Sequence, residues 1–314
     1  MRAIVCTKYG PPEVLQLREV EKPAPRNGEV LIKVFATAVT VSDCIIRGSQ
    51  LQLWSPMGLM MRLVLGFRKP RQPILGIVVA GEVESTGRDA RAFKPGDQVF
   101  GWDLVPAFGA YAEYKRMRAS GILAIKPANV DYAEAAAIPY GGLLALSYLK
   151  KGNIQGRQSV LVYGASGAVG TSAVQLARHF GAKVTGVCST ANLDLVRTLG
   201  ATGVIDYTRE QSIGSGESYD LILDAVGERK SSPLKIQCRR ALTPNGKYIS
   251  VDDGAPSIAI EDLLLLKELT EAGKLKPVID RLFPLGQMAE AHRYVDQGHK
   301  RGNVVITVEH SDKS

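Results

Sequence analysis

The sequence predicts a two-domain α/β protein, a β-rich part joined to a doubly wound parallel sheet with helices on both faces. Three observations predict it. The chain has 314 residues, 45% of them hydrophobic, which suits two globular domains. Its first third carries strand patterns broken by Pro and Gly turns, whereas from about residue 132 strand and helix patterns alternate. Between a Val-rich strand and an amphipathic helix stands "GASGAVG", residues 164–170.

Taken in order, "GEVLIKVFATAV" is Val-rich and alternating. "PILGIVVAGEVEST" is a buried run followed by alternation, and "FKPGDQVFG" is a strand entered from a Pro-Gly turn. Residues 50–72 form an apolar insertion flanked by basic residues. "YAEAAAIPYGGLLALSYLKKG" is helical with a Pro interruption. Strands and helices then alternate: "SVLVY", a helix over 168–180, "KVTGVC", a helix over 192–199 stopped by Gly200, "GVIDY", "YDLILDAVG", a further helix and "KYISV". The tail "RGNVVITVE" is again a strand.

The bulk properties exclude several classes. No apolar run approaches the ~18–20 residues that span a bilayer, and the start lacks a signal-peptide core, so a cytoplasmic protein is expected. The four cysteines are scattered and read as reduced thiols. The net charge of +8 is spread along the chain, so a phosphorylated cofactor or solubility accounts for it at least as well as nucleic acid does.

In the helix after "GASGAVG", Val169, Ala173, Leu176, Ala177 and Phe180 share one face. The glycines therefore sit where a strand ends and a helix begins, at free N–H groups and the positive end of a helix dipole. Gly167 and Gly170 match the second and third glycines of G-x-G-x-x-G, and Ala165, beside Gly164, replaces the first. A pyrophosphate cradle is expected; the alternative is a plain tight turn. Ser189 stands about 20 residues beyond Gly170, where NAD-selective folds place Asp or Glu. No carboxylate is there, and Ser189 and Thr190 can donate to a 2′-phosphate, so NADPH is expected ahead of NADH. Helix capping by the same two residues is the competing explanation.

These motifs, with "MRAIVCTKYGPPEVLQLREVEKPAPRNGEVLIKV", "GAYAEY", "LGATGVIDYT" and "EAGKLKPVIDRLFPLGQMAEAHRYVDQGHKRGNVVITV", resemble the medium-chain dehydrogenase/reductase superfamily, and within it the zinc-free quinone oxidoreductase-like branch. The resemblance covers nearly the whole chain. It implies a GroES-like substrate domain from residues 1–126 and 280–314, and a Rossmann cofactor domain over 127–279, with the active site in the cleft between them. It also implies cofactor contacts from Ser166, Ala168 and Val169 in the turn, Tyr207, Val226, Gly227 and Val251. Two departures bear on NADPH: Ala191 and Leu193 are apolar where relatives often carry a basic residue, and Leu144 stands where they often have Thr.

Catalytic zinc needs about three N, S or O ligands. Where the zinc enzymes carry a ligand cysteine, this chain has Thr40, and in place of "GHE" it has Gly76, Ile77 and Val78. No metal is expected. The chemistry implied is hydride delivery to a quinone or a carbonyl-conjugated C=C, with the protein orienting the partners and excluding water. By position, Thr40, Asp43 and Tyr140 line the nicotinamide pocket, Tyr140 as a possible proton donor. Hydrogen bonding within the fold for Asp43, and packing for Tyr140, are the competing roles.

In most relatives a further strand follows "KYISV". Here only "DGAPSIA" separates Asp252 from "IEDLLLLKELTEAGK", too little for a strand of ~5–6 residues with loops. The sheet-edge dimer made through that strand is expected to be absent, leaving a monomer or another dimer. Two rival readings are a zinc-free alcohol or aldehyde reductase, and a basic membrane- or nucleic-acid-associated protein that uses segment 57–72. That segment reads equally as a lid over a substrate pocket.

Overall fold

The computed structural model describes residues 1–49, 59, 63–103, 107–209, 213–214, 216–228 and 232–310. Most of the predicted insertion, residues 50–58 and 60–62, lies outside them. The chain divides into one unit of Met1–Pro139 with Ile279–Ser314 and a second of Tyr140–Val278.

The first unit opens with an antiparallel pair, β1 (Arg2–Cys6) and β2 (Leu15–Glu19). Its main element is β3 (Glu29–Val39), whose Val30, Leu31, Ile32, Val34, Ala36 and Ala38 are buried. β3 runs straight into helix α1 (Val41–Gly48). After it come β4 (Val78–Thr86), β5 (Gln98–Trp102), β6 (Tyr114–Arg118), β7 (Ile122–Ile125) and the short helix α2 (Tyr132–Ala136). The Tyr132 ring stacks on Phe35 of β3 at 4.7 Å. This helix therefore stays with the first unit, and the boundary falls at Pro139, beyond the residue 126 read from the sequence.

The second unit contains α3 (Pro139–Lys151), β8 (Ser159–Tyr163), α4 (Ala168–His179), β9 (Lys183–Cys188), α5 (Leu193–Thr198), β10 (Gly203–Asp206), β11 (Tyr219–Asp224), α6 (Pro233–Arg240), β12 (Leu242–Ser250) and α7 (Ile260–Glu271). Its strands are parallel in the order β10-β9-β8-β11-β12. That is a doubly wound sheet whose order reverses between β8 and β11, where such folds bind ligands. β8 and β11 are buried along nearly their whole length, as central parallel strands covered on both faces must be. Leu161, Val187, Ile222, Leu234 and Cys238 are among the residues of its core. Among the described residues the sheet ends at β12, and the chain passes directly into α7. β12 carries Pro244, and its pairing with β11 slips register, both of which interrupt an edge for further pairing.

The chain returns to the first unit as β13 (Ile279–Pro284), α8 (Met288–Asp296) and β14 (Asn303–Thr307). β14 pairs with the second half of β3 and β6 with the first half, completing a seven-stranded sheet.

Candidate active site

In the second unit, β8 ends at Tyr163 and Gly164 takes φ +81. Helix α4 begins on Gly167, an N-cap with no side-chain hydrogen bond. A Cβ on Gly170 would lie 2.1 Å from the Gly164 carbonyl oxygen and 2.7 Å from Ala165 Cα, so this glycine lets helix and strand end touch. A Cβ on Gly167 would meet nothing nearer than the Gly164 oxygen at 3.6 Å. The space beside it is open, at the positive end of the helix dipole, where a helix start attracts anions. Ala165, Ala168 and Val169 are buried, so this turn offers backbone rather than side chains.

The facing turn lies close. A Cβ on Gly164 would strike Val226 Cγ2 at 2.4 Å. Buried Asp224 accepts the N–H groups of Val226 and Gly227, both at 3.1 Å, and forms an ion pair with Lys235 at 2.5 Å. The Val251 N–H donates to the Asp224 carbonyl at 3.0 Å, while the Tyr148 hydroxyl donates to the Val251 carbonyl at 2.8 Å. Asp224 and Tyr148 thus fix these backbones.

At the carboxyl end of β9, the Asn192 amide Nδ2 donates to Ser189 Oγ at 3.0 Å and to Ser166 Oγ at 3.3 Å. Ser189 occupies the N-cap position of a 3₁₀ turn, Thr190–Asn192, without bonding its backbone through the side chain. Thr190 departs from the donor role expected of it, because its hydroxyl donates to Asp206. The second strand ends without a carboxylate, but the third supplies one: parallel register sets Asp206 opposite Cys188. Burial alone would raise the Asp206 carboxyl. The hydroxyls of Thr190 and Thr208, the Thr208 N–H and Arg209 outweigh it and hold the group below its ordinary range. Tyr207 follows, 43% exposed. Arg209 Nε lies 3.8 Å from Asp206, so the basic residue here follows the third strand rather than standing at 191 or 193.

In the first unit the structure brings Thr40 and Asp43 together as a buried capping box for α1. The Thr40 hydroxyl donates to Asp43 Oδ2 at 2.6 Å, the Thr40 N–H donates to the same oxygen at 3.0 Å, and the Asp43 N–H donates to Thr40 Oγ at 3.1 Å. Burial pushes the Asp43 carboxyl up to about 6, against the hydrogen bonds that favour its charge. Its Oδ1 has no well-formed partner, although the Tyr111 hydroxyl and the Gly76 N–H act on the carboxyl more weakly. Tyr111 also meets His292 Nε2 at 3.2 Å, and His292 Nδ1 meets Cys44 Sγ at 3.4 Å. Burial, with the Arg47 charge, drives His292 down to about 3, and burial pushes the Cys44 thiol far up. Arg47, itself buried, pairs with Asp296 at the surface at 2.6 Å, a second link between α1 and α8. Tyr140 is half-buried in the first turn of α3, in the second unit.

At the positions where zinc relatives carry ligands stand Thr40, Gly76, Ile77 and Val78, with Ile77 and Val78 buried in the core. Among the described residues no group of three or more His, Cys, Asp or Glu could hold a metal. The described part of the predicted lid, with Ile46 and Phe108, lines a cavity of about 110 Å³. That is below the ~300 Å³ at which sites for organic ligands begin.

Residues 26–127 match the alcohol dehydrogenase GroES-like domain family, and residues 168–275 and 256–306 match two zinc-binding dehydrogenase families. The chain is 32% identical to the 2-methylene-furan-3-one reductase of Solanum lycopersicum, over 98% of this chain and 79% of that protein. Identity and coverage are the same for the chloroplastic NADPH-dependent alkenal/one oxidoreductase of Arabidopsis thaliana. Among solved structures, the quinone oxidoreductase from Coxiella burnetii superposes with a TM-score of 0.85 at 27% identity, covering 98% of this chain and 99% of that one.

Proposed function

The chain belongs to the medium-chain dehydrogenase/reductase superfamily, in its quinone oxidoreductase-like branch, and from that premise we propose that it is an NADPH-dependent, zinc-independent reductase of quinones or carbonyl-conjugated alkenes. The observation that carries the reading is the uncapped N-terminus of α4, with open space before Gly167 beside the reversal point of a doubly wound sheet. Bound there, NADPH supplies the hydride. The Gly164–Gly170 turn holds its pyrophosphate. Val226, Gly227 and Val251 present backbone fixed by Asp224 and Tyr148, and Ser189 and Tyr207 stand at the ribose end.

Of the residues expected at the nicotinamide, Tyr140 is the one proposed to deliver a proton. The Thr40 proton is directed at Asp43, so Thr40 serves as a fixed polar wall and Asp43 as its positioning residue. Zinc independence rests on the chemistry of Thr40, Ile77 and Val78, which cannot assemble a ligand set, although the matched families take their description from zinc. Metal analysis of the purified protein tests it, and a stoichiometric zinc that chelation removes together with activity would refute it.

We place the protein in the cytoplasm as part of this reading, and cell fractionation decides it; among the described residues no helix is long and apolar enough to cross a membrane. The interrupted β12 edge supports a monomer, or a dimer made elsewhere, and light scattering checks that. The decisive experiment compares NADPH and NADH oxidation across small quinones, enones and aldehydes. Acceptor-stimulated NADPH oxidation with quinones or enones is expected. If no acceptor stimulates oxidation of either nucleotide, the enzyme reading falls.

A further inference from the structure

We propose that Asn192 sets the direction of the Ser166 and Ser189 hydroxyl protons, and so lets one ribose pocket take either a 2′-phosphate or a 2′-hydroxyl. The inference rests on the nucleotide reading of the glycine turn and adds to it the residue that lets the ribose end accept both forms.

Asn192 is 8% exposed, and its Nδ2 bridges two serine hydroxyls from different segments, one in the glycine turn and one at the end of β9. Each serine oxygen accepts from the amide, so each keeps its own proton for a second partner. Ser166 and Ser189 are only half-buried, which leaves that partner room on the open side. Two outward protons suit an anion, whose oxygens only accept. The other prong of the amide, Oδ1, is buried and has no partner among the described residues.

That orphaned prong makes the bridge reversible. Rotating the planar amide by half a turn exchanges two groups of nearly equal size and forfeits no bond at Oδ1, since none is made there among the described residues; the NH2 donors then take that place. After rotation Oδ1 accepts from both serines, their protons point inward, and their oxygen lone pairs face outward to accept from a ribose hydroxyl. The bridge keeps two hydrogen bonds in either sense. A carboxylate at 192 could only accept, which would lock the second sense and repel a phosphate as well.

The surrounding charges favour neither ligand. The Asp206 carboxylate is occupied by Thr190 and Thr208, and Arg209, its side chain 74% exposed, stands 3.8 Å away as an available counter-charge for a phosphate. One buried carboxylate and one exposed guanidinium leave the pocket near neutral.

Calorimetry with adenosine 2′,5′-bisphosphate and adenosine 5′-monophosphate isolates the 2′-position, because the two differ only there and no hydride acceptor is involved. The unaltered protein should bind both within about tenfold of each other. Asn192→Asp should weaken the bisphosphate at least about tenfold and strengthen the monophosphate. The second change separates reversal of the hydroxyls from simple repulsion, which cannot improve binding of the monophosphate. An unchanged ratio, or equal weakening of both, overturns the proposal. Should Asn192→Asp not fold, Ser189→Ala removes one reversible hydroxyl and should weaken the bisphosphate severalfold; an unchanged affinity overturns it too. Binding of neither compound to the unaltered protein refutes the nucleotide reading itself, and is thereby distinguishable from failure of the Asn192 assignment alone.

Discussion

Helix α1 follows β3 after the single residue Thr40 and helix α4 follows β8 after a four-residue turn, and the chain treats their first turns in opposite ways. At α1 the free N–H groups meet a complete capping box from Thr40 and Asp43, sealed in the core at 3% and 1% exposure. At α4 the N-cap is Gly167, which has no side chain to offer and faces open space. A helix start carries unsatisfied donors wherever it occurs. The chain's own side chains cap the buried start, while the open one, in the function proposed above, keeps its donors for a phosphate.

The sharpest break in that contrast comes from Gly170. A Cβ there lies 2.1 Å from a backbone oxygen, so no side-chain rearrangement relieves the clash. Gly170→Ala should cost upwards of ~4 kcal/mol and leave the second unit unfolded. Soluble yield and thermal unfolding read this directly; a melting temperature equal to the parent's would show that the turn is not packed as described.

The next largest effect is on pH dependence and belongs to the buried polar groups behind α1. His292 has a folded pKa of about 3 against an ordinary 6.5, so it favours the folded state above pH 6.5 and loses that contribution as pH falls toward 3. Asp43, raised from 3.8 to about 6, works the other way: its contribution is present below 3.8 and is lost as pH rises through 6. Between pH 7 and 5 His292 should cost about 2 kcal/mol and Asp43 return about 1. His292→Phe should therefore make the protein relatively more stable at pH 5 than at pH 7. Asp43→Asn should steepen the parent's acid loss. Urea unfolding at the two pH values measures both, and slopes identical to the parent's would refute the assignment.

Gly167→Ala tests the open side of the contrast. The added methyl meets no protein atom closer than 3.6 Å, so stability should hold, and Ala at an N-cap costs only about 1 kcal/mol even where a side-chain cap is lost. The methyl would occupy the space assigned to pyrophosphate. Nucleotide affinity should fall about 10- to 100-fold, or ~1.4–2.8 kcal/mol. Retained affinity in a folded variant would move the nucleotide elsewhere.

How far each site was legible follows from how local it is. The glycine turn is read from residues within one short segment, and the five-stranded sheet from the shortness of "DGAPSIA". Thr40 and Asp43 carry the T-x-x-D spacing of a capping box, yet the resemblance drew attention to them as pocket residues first. Asp206 was out of reach, because it arrives beside Thr190 through parallel register between β9 and β10. The Tyr111–His292–Cys44 contacts join three distant segments, so no spacing announces them. Asn192 falls at the first position of the helix read over 192–199 and carries no signal there; its meaning comes only from the two hydroxyls it bridges.

The smallest effect concerns the capped start. Thr40→Ala removes the hydroxyl that accepts the Asp43 N–H and donates to the Asp43 carboxylate, while the Thr40 N–H bond to that carboxylate survives. The loss should be about 1 kcal/mol, the usual cost of a missing N-cap. Thr40→Ser keeps an oxygen in the same place and should recover most of it. Because the Thr40 proton is already committed inside the box, turnover at saturating nucleotide should change less than about threefold in either variant, under half of the ~1.4 kcal/mol that a tenfold change represents. Unfolding curves and kcat for the two variants separate the roles. If the Ala variant loses turnover well beyond its loss of stability and the Ser variant restores both, the hydroxyl takes part in the chemistry, and the capped helix start is then a working part of the site.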